Sequence, residues 1–173
     1  MKPQVAIYGA GQYGLEAMRI MHQRGWEIVA AYNRAGEKVG CDVGELAGIE
    51  RLGIPVQDCK TADYAGSGAN IAIHSVADRL DYNWAGHQRL LSAGINVICH
   101  GGESNFPWGS RPELAGRLDE LAKANGVTFT GAGGSAEEKL GRRPLRVSAD
   151  RVHWDTSNTP PCMSVTLQFI RPS

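Results

Sequence analysis

Over residues 1–133, apolar positions come in short unbroken runs, separated by stretches in which apolar side chains recur at helical spacing. The run at 4–8 predicts a first strand, and Leu15, Met18 and Met21 or His22 then fall on one face of a helix that stops at Gly25. A second strand is predicted at 27–32, followed by a glycine-rich loop over 33–53. A short third strand is expected at 54–56, with a turn or short helix over 58–64. Strand 70–76, helix 81–93 closed by Gly94, and strand 96–100 continue the alternation. Ser110 and Glu113 have capping-box spacing, so a helix is expected from there to about Asn125, with Gly126 as its left-handed cap and a sixth strand at 127–130.

Strands of four to seven residues alternating with helices imply parallel pairing through right-handed crossovers. The runs lack strict apolar–polar alternation, as expected of strands covered on both faces. The reading is an α/β, doubly wound, mostly parallel sheet of the Rossmann type for residues 1–133. Residues 134–173 differ. They open with Arg142, Arg143, Arg146 and Arg151 and then give β-like fragments such as MSVTLQFIR, so a short β-rich tail is expected there.

Composition adds mainly exclusions. Lysine plus arginine and aspartate plus glutamate are both 18, so no net field exists to gather nucleic acid or an anionic membrane surface. No apolar run approaches the ~20 residues of a membrane span, and the N-terminal stretch lacks the apolar core of a secretory signal. The cysteines Cys41, Cys59, Cys99 and Cys162 are far apart, with no ligand-like spacing, so no metal site is expected and a reducing cytoplasm is the default.

The chemistry is concentrated in Gly9-Ala10-Gly11-Gln12-Tyr13-Gly14, a GxGxxG run placed after a strand and opening a helix. The first glycine allows the tight turn, the second lets the backbone approach a pyrophosphate, and the third lets helix and strand pack closely. The diphosphate then lies against the amides and positive dipole end of that helix. An acidic residue at the end of the second strand would select NAD, but this chain has Asn33 and Arg34 there. A guanidinium can pair with a 2′-phosphate, so NADPH is expected over NADH; the alternative for Arg34 is a solvated loop position. A methyltransferase-like site fits poorly, because Tyr8 rather than an acid precedes Gly9.

Two more loops leave predicted strand ends on the same side. One carries His74 and Ser75, the other His100, Glu103, Phe106 and Trp108. Ser75 and His100 complete the expected cofactor contacts with Gly9, Gly11, Gln12, Tyr13, Gly14, Asn33 and Arg34. Glu103 beside two aromatic rings is expected to lose solvation, raise its pKa and serve as acid or base. The alternative is a solvated or helix-capping glutamate.

GAGQYG, KVGCDVGELAG, LGIPV, HSVADRL and NVICHGGESNFPW together resemble the N-terminal half of 2,4-diaminopentanoate dehydrogenase and the native amine dehydrogenases, a group similar to dihydrodipicolinate reductase in its cofactor domain. The resemblance implies that Glu103 is the catalytic carboxylate, binding ammonia or activating water beside the nicotinamide. It implies an NADPH-dependent oxidoreductase interconverting an amine with a carbonyl compound plus ammonia, and a homo-oligomer. Family members continue into a second α+β domain with which residues 134–173 do not align. The other reading is therefore a dinucleotide-binding module with a sensing or interaction role.

Overall fold

The computed structural model describes residues 2–132. The expected tail over 134–173 lies outside the described residues. Six strands form one sheet in the order β3-β2-β1-β4-β5-β6, every neighbouring pair parallel. They are β1 (Gln4–Tyr8), β2 (Glu27–Asn33), β3 (Val56–Asp58), β4 (Ile71–His74), β5 (Asn96–Cys99) and β6 (Phe129–Gly131). The helices are α1 (Gln12–Gln23), α2 (Val43–Leu46), α3 (Leu80–Ser92), α4 (Pro107–Ser110) and α5 (Pro112–Ala124). This is the doubly wound arrangement, with a switch of direction between β1 and β4, where such sheets bind ligands at the carboxyl ends of the strands.

The sheet separates two cores. On one side Met18 of α1 packs with Val5, Ile7, Ile28, Val43, Val56 and Ile73. On the other Leu80, Leu90 and Leu91 of α3 and Leu118 of α5 pack with Tyr8, Tyr32, Val97 and Phe129. Burial on both faces explains why the strands read as continuous apolar runs.

Three expectations need correction. The stretch 33–53 is not all loop. Asp42 accepts from the amides of Gly44 and Glu45 through Oδ1 at 2.9 and 3.2 Å, from Leu52 at 3.1 Å, and through Oδ2 from Ile54 at 2.9 Å, which organises α2 and the chain that returns to β3. Burial alone would raise the Asp42 pKa, but these four amides hold it below the usual carboxylate value. β3 lies two residues later than expected, because Val56, Gln57 and Asp58 are the residues in register with Ala31, Tyr32 and Asn33. The capping box does not form. Arg111 stands at the start of α5 without a side-chain cap, and the Ser110 hydroxyl donates instead to the Glu103 and Phe106 carbonyls at 2.9 and 3.0 Å.

Candidate functional site

The glycine run forms the turn from β1 into α1, and the three glycines meet three different constraints. Gly9 sits at φ +100°, and a Cβ there would lie 2.5 Å from the Ser75 carbonyl oxygen. Its amide donates to the Tyr32 carbonyl at 2.8 Å, tying the turn to β2. A Cβ on Gly14 would lie 2.0 Å from the Gly9 carbonyl oxygen, so helix and turn close only around glycine. A Cβ on Gly11 would meet no atom within 4 Å. Packing therefore explains Gly9 and Gly14, whereas Gly11 borders open space in front of the first turn of α1.

That space belongs to a cavity of about 500 Å³ across the β1–β4 switch. Gly9, Gly11, Asn33, Arg34 and Ser75 line it, as do Tyr8, Lys38, Tyr82, Gly86 and Arg89. Arg34 is exposed, whereas Lys38 is half-buried and donates through Nζ to the Ala10 carbonyl at 2.5 Å. Arg89 donates to the Tyr8 hydroxyl at 3.0 Å. Burial, and the neighbouring Cys59, raise the Tyr8 pKa despite that guanidinium, so Tyr8 stays a neutral phenol. Arg34, Lys38 and Arg89 face this cavity with no carboxylate among its lining residues, which suits a polyanionic ligand. Lys38 and Arg89 were missed as site residues in the sequence. Lys38 reaches the turn from a loop 28 residues away, and Arg89 lies within a helix whose pattern reads simply as amphipathic.

The remaining expected residues sit outside this lining. Gln12, Tyr13 and Gly14 form the first turn of α1, with the Tyr13 ring 71% exposed and its centroid 5.3 Å from that of His100. His100 follows β5, and its amide donates to the His74 carbonyl at 3.2 Å.

Glu103 lies on the turn after β5 and is half-buried. Its Oε2 accepts from the Leu80 amide at 2.8 Å, so it caps α3, whose own N-cap residue Arg79 offers no side-chain cap. Arg111 Nε lies 3.2 Å from Oε2 and 3.3 Å from Oε1. The expectation of a raised pKa is overturned. Burial pushes the group up, but the Leu80 amide and the Arg111 guanidinium outweigh it and hold Glu103 below the usual glutamate value. The two rings invoked for that expectation, Phe106 and Trp108, are 57% and 48% exposed. Glu103 is a helix-anchored carboxylate anion.

Among solved structures, an amine dehydrogenase from Mycobacterium smegmatis matches this chain with a TM-score of 0.71 and 30% identity. The match covers 79% of this chain and 41% of that one. A homoserine dehydrogenase from S. aureus matches at TM-score 0.52 and 14% identity, over 76% of this chain and 32% of that one. An aspartate semialdehyde dehydrogenase II from Vibrio cholerae, solved with ASA, matches at 0.52 and 19%, over 82% and 45%. The last two share the fold. The first bears out the resemblance to the amine dehydrogenases. The chain spans less than half the length of each of these proteins. No family model matches it.

Proposed function

We propose that this chain binds NADPH across the β1–β4 switch and serves an oxidoreductase that interconverts an amine with a carbonyl compound plus ammonia. The observation that carries the cofactor is Gly11, whose missing side chain answers to no protein neighbour and opens onto a cavity lined by three cations. A nicotinamide dinucleotide fits these residues. The α1 N-terminus suits the pyrophosphate, Asn33 and Arg34 at the end of β2 suit the ribose 2′-phosphate, and Lys38 holds the turn carbonyl. When bound, the cofactor supplies the hydride.

The C–N chemistry rests on Glu103 and on the likeness to the amine dehydrogenase. An anionic carboxylate pairs with ammonium and takes up the proton that ammonia must lose on its way to an imine. The depressed pKa keeps Glu103 anionic at neutral pH, which suits pairing with ammonium, while making the carboxylate a weaker proton acceptor than an unshifted one. Tyr13, Phe106 and Trp108 offer exposed rings on segments that follow the carboxyl ends of β1 and β5, which suit an apolar substrate group or a second copy of the chain.

Titration of NADPH fluorescence, followed by NADPH oxidation with a panel of small ketones and aldehydes plus ammonium, tests both halves. Tight NADPH binding with ammonium-dependent oxidation is expected. Binding without turnover on any carbonyl compound would favour a dinucleotide-binding module, and failure to bind either NADPH or NADH would remove the whole reading.

A further inference from the structure

Behind the cavity wall, three side chains from three elements converge in the core: His74 at the end of β4, His87 on α3 and Cys99 at the end of β5. One ligand atom from each lies within 4.8 Å of the other two. The residues are 1%, 0% and 0% exposed. Neither ring nitrogen of His87 has a hydrogen-bond partner, nor does Nε2 of His74 or the nearby Oδ1 of Asn83. Buried polar atoms are nearly always partnered, and an orphan costs on the order of 1–3 kcal/mol. His74 and His87 therefore leave ring nitrogens unsatisfied within one buried cluster, which asks for a bound group.

The sulfur presents the opposite imbalance. Cys99 Sγ is approached by the Ser104 hydroxyl at 3.2 Å, the Gly101 amide at 3.4 Å and the Asn83 amide nitrogen at 3.7 Å. Burial keeps Cys99 a thiol in the metal-free protein despite these three contacts, and the same donors would orient a thiolate once a metal displaces the proton. Two neutral imidazoles and one thiolate form a donor set of borderline softness, with room for one more ligand.

We propose that His74, His87 and Cys99 bind a zinc ion, with water or Asn83 Oδ1 as the fourth ligand. Binding forms one Zn–S and two Zn–N bonds, and the Cys99 thiol proton leaves to solvent. Tetrahedral bonds of about 2.0–2.3 Å place ligand atoms about 3.3–3.7 Å apart, so the three side chains close inward by about 1 Å. His74 and Gly86 line the inner wall of the cavity, so the cluster lies directly behind it. Sequence spacing concealed the set, because His74 and Cys99 are 25 residues apart and meet only through the β4–β5 pairing.

The test uses the full chain, free of any affinity tag and stripped with a chelator, then titrated with zinc or cobalt(II). One equivalent is expected, with a thiolate-to-cobalt charge-transfer band. Cys99→Ser should abolish that band, and His87→Gln should weaken zinc by more than about 100-fold, beyond what loss of an outer-shell partner produces. Affinity should fall about tenfold per pH unit of acidification while the thiol proton must be displaced. A folded protein that takes up no zinc, or zinc retained by both variants, overturns the proposal. Should the variants not fold, the unmodified protein decides. In mild denaturant, zinc should slow alkylation of Cys99 and leave exposed Cys41 unaffected, and equal protection of neither or both would overturn the site.

Discussion

Arg34 and Gly11 are the two positions where one side chain decides the cofactor question. Arg34 is exposed at the mouth of the cavity and takes part in no hydrogen bond among the described residues, so its charge is free for a ligand. A charge-assisted contact contributes about 1.5–3 kcal/mol, and 1.4 kcal/mol is tenfold, so Arg34→Asp should cut the preference for NADPH over NADH at least tenfold. Equal affinity of the unmodified protein for the two cofactors would refute this. Gly11→Val should fold normally, because the new side chain enters open space, yet lose NADPH binding, because that space is where a pyrophosphate would meet the helix amides. Gly14→Ala makes the contrast. Its Cβ would collide with the Gly9 carbonyl, so it should lower stability by about 1–3 kcal/mol in denaturant titration. A Gly11 variant with unchanged NADPH affinity would reduce the motif to a structural turn.

At the scale of elements, Glu103 joins the β5 turn to α3 and α5 through Leu80 and Arg111. Glu103→Gln keeps a cap oxygen but removes the charge, so it should cost about 1 kcal/mol of stability, in the range of altered caps. If the carboxylate also handles ammonium, turnover should fall roughly 10²–10⁴-fold with NADPH affinity nearly unchanged. Unchanged turnover at lowered stability would leave the cap as its only role. How far such elements can be read from sequence depends on what fixes them. β1 is legible residue for residue, since Gln4–Tyr8 is an apolar run ended by the glycine turn. The ends of β3 and β6 are set by partner strands, and α2 by amides converging on Asp42. The Ser110 cap failed because its hydroxyl was committed to the preceding turn. The Glu103 pKa was misjudged because its capping partner lies 23 residues upstream. The glycine motif was legible because its constraints are local, whereas Lys38, Arg89 and the His74–His87–Cys99 group exist only once the sheet is assembled.

The whole molecule carries a consequence of two buried imidazoles. Burial holds the His87 pKa down at about 3, and burial with the neighbouring histidines holds His74 well below its ordinary value. In the unfolded chain each titrates near 6.5. Above about pH 6.5 both states are neutral and these groups give stability no pH dependence. As pH falls below that value, the unfolded chain binds protons that the folded protein refuses, so stability drops by about 1.4 kcal/mol per pH unit for each histidine. Glu103 and Asp42, held below their ordinary values, stabilise the fold above the unfolded carboxylate pKa and lose that contribution only as pH falls past about 4. The window between about pH 4.5 and 6 therefore isolates the histidines. With chelator present, denaturant titrations should show a flat plateau above pH 6.5 and a loss of about 2.7 kcal/mol per unit within that window. His87→Phe, which keeps a ring between His74 and Phe129, should roughly halve the slope. Stability that stays level down to pH 4.5 would mean that both imidazoles protonate within the folded protein, and the dry core around them would have to be abandoned.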